Sequence, residues 1–509
     1  MGATASDGLG TLCARGQLAV DGFYDVIVVG GGVVGCHCAR ELSRYDLRIL
    51  LLEKEADICS GASKANSGIV HAALSPRPGT WKAKLCLEGK NMMRQVCEEL
   101  SVPFAAIGSL TVALDEREVR VLLALRARAE RNGERDLELL TGEELKRLEP
   151  ALNPGAVAAL YAPSAGIVDP MLLTIAAAEN AAQNGAQILL EAEVQEILVR
   201  NGRVVGVVTP KGEFGCRFLV NAAGTYADEI MRLAGMDPPP LRPRRGDYYV
   251  LDKMELVRHV IFPIPTRFSK GILVTPTVHG NVLLGPTSIP TAERERPPVE
   301  GIGLEEVAAQ AKRLVPAIDI KQSIAVYAGL RPSGYDDFRI QLERSPAGML
   351  SLAGIESPGL TAAPAIARLA VRLLSQAGLE LRPRLSFEPY RPAPPRVAVL
   401  SPAERAELAE RDCRYGRVIC RCEQVTEGEI VRAIHGLVPA RTLDALKKRL
   451  RVMSGRCQGA FDLPLLVEIL SRELGVAPWE VTKEGPGSEV IVGPSRPEPQ
   501  LQEGQACVS

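Results

Sequence analysis

Along residues 25–53 the apolar positions change period twice. Asp25-Val-Ile-Val-Val is a short β-branched run without polar alternation, the pattern of a strand buried on both faces. Residues 33–45 suit a helix, and Arg48-Ile-Leu-Leu-Leu-Glu53 repeats the buried-strand pattern. Strand, turn, helix and strand in that order make a β-α-β unit, which implies a parallel sheet with a right-handed crossover. Residues 80–150 read as charged helix, most clearly at 116–135. Strand patterns return at 187–191, 203–208 and 217–221. Residues 240–290 alternate in strand fashion but are broken by prolines, and residues 325–380 resume the first pattern.

These patterns predict a discontinuous α/β chain. A Rossmann-like domain takes residues 23–80, 150–228 and 325–385, and a mainly antiparallel sheet facing a substrate takes 81–149 and 229–324. Pro392, Pro394 and Pro395 mark a linker over 386–412, with a charged helix near 402–411. Residues 413–475 read as a separate small helical module. Residues 1–22 are expected to be a disordered leader, and the tail 476–509 to be partly disordered, chiefly after 484.

At 509 residues the chain exceeds what one compact core accommodates. Its 60 basic and 61 acidic residues leave a net charge of −1, which argues against nucleic-acid binding. No apolar run is long enough to cross a bilayer, and the first residues lack the apolar stretch of a secretory signal. Twelve cysteines are many, but Cys36, Cys38, Cys59, Cys86, Cys97 and Cys216 are scattered. They show no disulfide framework, so a reducing cytoplasm is expected.

Gly30, Gly32 and Gly35 have the spacing G-x-G-x-x-G after the first strand and at the start of the helix. The first allows a tight turn, the second lets backbone approach a pyrophosphate, and the third lets helix pack on strand. The helix start offers amide donors to phosphate, and Glu53 ends the second strand where a ribose diol would be bound. These features point to dinucleotide binding.

Three further motifs narrow the cofactor by resemblance. Residues 61–71, Gly-Ala-Ser-Lys-Ala-Asn-Ser-Gly-Ile-Val-His, resemble the second FAD segment of the D-amino-acid-oxidase-like superfamily. Residues 220–228 are similar to its strand-and-turn motif, and residues 354–361 to its C-terminal flavin motif. The resemblance implies FAD, contacted by Gly30, Gly32, Gly35, Glu53, Ser63, Asn66, Ser67, Val194, Ala223, Gly224, Gly354, Pro358, Gly359, Leu360 and Thr361. Within the superfamily the chain most resembles the L-2-hydroxyglutarate oxidase and glycerol-3-phosphate dehydrogenase branch. That implies oxidation of a secondary alcohol beside an anionic group.

Such a reaction needs a hydride acceptor, a base and cations for the anion. His71 is the first candidate base, with His279 in Thr275-Pro-Thr-Val-His279 second. Arg331 resembles the substrate arginine of the branch, and Arg339 follows it; an arginine fork suits carboxylate and phosphate alike. Arg245 and Tyr248 are candidates to line the same pocket. For each histidine the alternative is a packed side chain, and for Arg339 an ordinary ion pair.

Cys420-Arg-Cys422 and Cys457 resemble a bacterioferritin-associated-ferredoxin-like [2Fe–2S] domain, with Thr426 and Glu429 spaced as a capping box. The last position of that pattern is Asp462 instead of cysteine. Three thiolates and a carboxylate hold a cluster here, or Cys413 swings in, or the cluster is lost and a structural or docking module remains. A cluster would relay electrons one at a time from reduced flavin. Only one dinucleotide fingerprint is present, so the acceptor is expected off the chain, as a flavoprotein subunit or a quinone-linked partner at a membrane surface. The competing readings are an amine or imino-acid dehydrogenase and an electron-relay subunit of a larger complex.

Overall fold

The computed structural model describes residues 20–266 and 270–493. Strand β1 (Val20–Val29), helix α1 (Val33–Leu42) and strand β2 (Ile49–Leu52) form the expected β-α-β unit. β1 lies between β2 and the strand Gly212–Asn221, parallel to both. Gln187–Leu189 continues the parallel sheet beyond β2, and Met349–Ala353 continues it beyond Gly212–Asn221. Three antiparallel strands complete eight.

The missing polar alternation now has its cause. Val26, Val28, Ile49 and Leu51 enter one core, under α1 and the helices Pro170–Gln183 and Gly359–Gln376. Ile27, Val29, Leu50 and Leu52 enter another on the opposite face, with Phe214 and Met231. Successive strand residues face opposite ways, and both ways are covered.

Helix α2 (Trp81–Leu100) was expected beside the substrate sheet but belongs to the cofactor core. Its charges occupy one side, and Leu85, Met93, Val96 and Leu100 form an apolar stripe that needs a partner. It crosses the helix Gly359–Gln376 so closely that a Cβ on Gly89 would lie 2.0 Å from the carbonyl oxygen of Thr361. Conversely, Ala158–Ala162 and Ser323–Arg331, expected in the cofactor domain, pair into the second sheet. That sheet has nine strands, and its pairs are antiparallel apart from Val260–Pro263 with Ser109–Ala113.

The expected linker is pinned to the body. Arg391 pairs with Glu179 at 2.5 Å, and its backbone N–H donates to Glu99 O. The charged helix Pro402–Arg411 forms behind a Ser401–Glu404 capping box. The module that follows has its own core, including Ile419, Ile430, Leu446, Leu466 and Leu470. At both ends the described residues reach beyond the expected bounds. Residues 20–22 already belong to β1, while 1–19 lie outside the described residues. Residues 484–493 are described, with Thr482 bridged to Glu489 and Lys483 N–H donating to Ser488 O, and 494–509 lie outside. Among the described residues no helix is long and apolar enough to cross a membrane.

The close helix crossing sets an expectation. Gly89→Ala should cost about 1–3 kcal/mol of stability, read as a lower urea midpoint at unchanged slope.

Candidate active site

The turn after β1 has no room for side chains. Gly30 has φ +108°, and a Cβ there would meet Ala222 O at 2.5 Å. A Cβ on Gly35 would lie 2.0 Å from Gly30 O, so only glycine lets α1 sit this close. The N–H of Gly31 donates to Glu53 Oε2 at 2.6 Å and that of Glu55 to Oε1 at 3.0 Å. Burial pushes the Glu53 carboxyl up, against those two amides. Val33 N–H, at the start of α1, donates to Ser63 Oγ at 2.9 Å.

A cavity of about 910 Å³ runs from this turn between the two sheets. Gly30, Gly32, Glu53, Ser63, Asn66, Ser67, Val194, Ala223, Gly224, Pro358, Gly359 and Leu360 line it, as expected of a flavin site. Its glycine cradle, helix start and terminal acid fit the pyrophosphate and ribose of FAD. Gly35 and Gly354 do not line it. Gly35 seats the helix, and Gly354, at φ +65°, stands where a Cβ would meet the Tyr335 ring at 2.6 Å. Thr361 is also off the lining, but its Oγ1 accepts from His71 N–H at 3.0 Å and donates to Ile69 O at 3.2 Å. It thereby fixes the short strand Ile69–Val70 that delivers His71.

At the far end His71, Lys270, Arg331 and Ser357 converge. His71 Nε2 is 3.5 Å from Lys270 Nζ and 3.3 Å from Ser357 Oγ, and Lys270 donates to that same Oγ at 2.9 Å. Arg331 donates to Thr287 O at 3.0 Å and reaches Ser288 Oγ at 3.4 Å. None of these partners is a carboxylate. Tyr248 stacks on Tyr327 with centroids 4.5 Å apart, and its hydroxyl meets Ser67 Oγ at 3.1 Å.

Enclosure, then the Lys270 charge, holds the His71 imidazole well below its ordinary value, so it is neutral at pH 7. Enclosure also brings Lys270 down to about 8, against the pull of Cys86 and Glu356. The site therefore pairs a neutral imidazole with two cations, one of which titrates near neutrality.

Three expected residues are elsewhere. His279 donates or accepts through Nε2 at 2.7 Å from Asp169, the acid that caps Pro170–Gln183. Arg339 sets one nitrogen 2.9 and 3.1 Å from the two oxygens of Glu343. Arg245 is buried between Asp247 and Glu300 while its neighbours Arg244 and Gly246 line the cavity. All three have found carboxylates, which is why none is free to serve the site. Lys270 is the residue sequence reading missed. Nothing in its local pattern marks it, since its role arises only when its loop is folded against His71.

In the C-terminal module Cys420 is fully buried, and a Cβ on Gly455 would lie 2.3 Å from that of Cys422. Cys457 lies beside Cys422 and acts on its thiol. Asp462 is 1% exposed at the start of Leu463–Leu474; its Oδ2 accepts from Met453 N–H at 2.9 Å, and its Oδ1 has no partner among the described residues. Burial and hydrogen bonding to Asp462 push the Cys420 thiol up to about 12. The expected capping box is present, with Glu429 accepting from Thr426 N–H and Oγ1. No group of three His, Cys, Asp or Glu among the described residues has the form of a single-ion site. A two-iron cluster asks for a different form, two protein ligands on each iron. Three thiols and an orphaned buried carboxylate oxygen fit that donor set.

Fold and cavity together define a flavin-dependent oxidoreductase with an appended thiol module. The chain belongs to the FAD dependent oxidoreductase family, whose model matches residues 25–373, and residues 418–471 match the BFD-like [2Fe-2S] binding domain. It is 42% identical over 480 residues to a glycerol 3-phosphate dehydrogenase of Caloramator mitchellensis, covering 94% of this chain and all of that one. The L-alpha-glycerophosphate oxidase of Mycoplasma pneumoniae with FAD bound superposes with a TM-score of 0.69 at 34% identity, over 72% of this chain and 98% of that one. A mitochondrial L-2-hydroxyglutarate dehydrogenase of Bos taurus is 33% identical over 302 residues, 56% of this chain and 65% of that one. The protein is thus an FAD oxidoreductase acting on CH–OH donors.

The lowered lysine gives a pH expectation. Lys270 is cationic below its value of about 8 and neutral above it. Inorganic phosphate, followed by its perturbation of the flavin absorbance, should therefore bind at pH 7 and weaken as pH rises through about 8. Lys270→Met should weaken it at pH 7 and flatten that slope.

Proposed function

We propose that the chain oxidises glycerol 3-phosphate at its secondary alcohol to the ketone, as a dehydrogenase. One observation carries the reading: a neutral histidine and two cations, Lys270 and Arg331, whose hydrogen-bond partners among the described residues include no carboxylate, gather at one end of the flavin cavity. The preference for phosphate over a second carboxylate rests on likeness, which is higher and longer with the glycerol 3-phosphate dehydrogenase than with the L-2-hydroxyglutarate dehydrogenase.

Lys270 and Arg331 hold the phosphate, the arginine as a fork and the lysine as a point charge. His71 Nε2 takes the hydroxyl proton. Ser357 and Thr361 orient it, the first at the ring and the second at the backbone. Tyr248 lines the cavity and is backed by the stacked ring of Tyr327. FAD, when bound, supplies the hydride acceptor at flavin N5.

Cys420, Cys422, Cys457 and Asp462 are the residues that would hold a two-iron cluster, whose chemistry is one-electron relay. The acceptor then lies beyond this chain, a second flavoprotein or a quinone-linked partner. The unpartnered Asp462 oxygen supports the carboxylate as fourth ligand.

Two measurements test these readings. Mixed anaerobically with the enzyme, glycerol 3-phosphate should bleach the flavin about a hundredfold faster than L-2-hydroxyglutarate. Bleaching by L-2-hydroxyglutarate, proline or sarcosine, but not by glycerol 3-phosphate, would sink the assignment. Iron and acid-labile sulfide should be found in the wild type, and Asp462→Cys should keep them with altered g-values. Iron in the variant alone would withdraw the relay and leave a docking module.

A further inference from the structure

The module assigned to electron relay also walls the adenosine end of the flavin cavity. Thr442, Asp444 and Lys448 line it there, with Glu484 from the segment that follows. Lys448 is 5% exposed and has three partners on the loop after β2: Asp57 Oδ2 at 2.7 Å, Ile58 O at 2.7 Å and Ser60 Oγ at 3.3 Å. An ammonium has three hydrogens, so all are engaged. Arg449 sets its two terminal nitrogens on the two oxygens of Asp57 at 2.8 Å each. It also donates to Val438 O, and Val438 itself packs into the core of the cofactor domain.

This contact differs from an ordinary surface docking. A buried carboxylate is costly unless paired and hydrogen-bonded, and here two cations serve one acid. The trio leaves one positive charge in surplus, beside the turn that receives the pyrophosphate. The loop it holds runs straight into Ser63, whose Oγ accepts from the first amide of α1. Further out, ion pairs join separate segments around the mouth: Lys64 with Asp444 at 3.8 Å, Arg296 with Glu484 at 3.3 Å and Lys54 with Glu295 at 2.5 Å.

We propose that the C-terminal module is a clasp on the cofactor. Lys448 and Arg449 pin the loop 57–63 through Asp57, and Asp444 and Glu484 close the mouth over the adenosine half of FAD. Module docking and FAD binding are then linked, so each strengthens the other by the same factor.

The test uses the full chain, freed of flavin and reloaded with FAD. FAD release is followed by the rise of free-flavin fluorescence on dilution, for the wild type, Lys448→Met and the doubly substituted Asp444→Asn/Glu484→Gln. Lys448→Met should release FAD about tenfold faster, the effect of losing a charged hydrogen-bonding group. The double variant should release it faster too, with less sensitivity to salt, since its lost pairs are partly exposed. In the wild type, FAD should slow amide hydrogen exchange across residues 442–449, a readout that needs no substituted protein. Unchanged release in both variants, or exchange at 442–449 indifferent to FAD, would overturn the clasp.

Discussion

The architecture depends on one close approach, that of α1 to the end of β1. With 2.0 Å between a Cβ on Gly35 and the oxygen of Gly30, there is no slack for a larger residue. That approach puts the amides at the start of α1 where a pyrophosphate lies, and puts Ser63 and Glu53 within reach of the same turn. Everything else in the cofactor layer is arranged around it: helices on one face, the Phe214 cluster on the other, and a cavity opening at the carboxyl ends of the parallel strands. Ligands of open α/β sheets are bound at that edge, because the loops there can change without disturbing the core.

A second chain of contacts carries rigidity to the chemistry. Helix α2 meets the helix Gly359–Gln376 at Gly89 and Thr361, and Thr361 in turn holds both Ile69 and His71. The candidate base is thus fixed by packing two steps away. A hydroxyl that both donates and accepts can hold one strand at two points, which no apolar residue of its size could do.

What was legible in the sequence was what is local. The β-α-β unit, the glycine spacing and the capping box at Thr426 are each written within a few residues, and all are present. The partners of His279 and Lys270 are not local. Asp169 precedes His279 by 110 residues and His71 precedes Lys270 by 199, so one histidine looked available and one lysine looked ordinary. Arg339 differs from both. Its partner Glu343 is four residues on, and of the two readings the sequence leaves open for Arg339 the structure shows the ion pair. The division into layers within residues 23–385 differs for a related reason: α2 and Ser323–Arg331 have the right local pattern, but which layer they join depends on tertiary packing.

The distribution of charge separates structure from function in this chain. Buried or half-buried cations at structural positions have carboxylates: Arg40 with Glu99, Arg245 with Asp247, Arg449 with Asp57. Among the described residues Lys270 and Arg331 bond to hydroxyls, a carbonyl and the His71 ring. Neutral partners satisfy the hydrogen bonds of a cation but not its charge, so the pair keeps an unspent attraction for an anion. The cost is visible in Lys270, whose ammonium is brought down to about 8 by enclosure. Arg40, Arg245 and Arg449 have each recruited a carboxylate, whereas Arg244, like Lys270 and Arg331, bonds to neutral groups among the described residues. Glu356 lines the same end but is bonded to Lys82 and Ser333, so its charge reaches Lys270 and Arg331 only through space, which supports the proposed anionic substrate as the partner that would complete them.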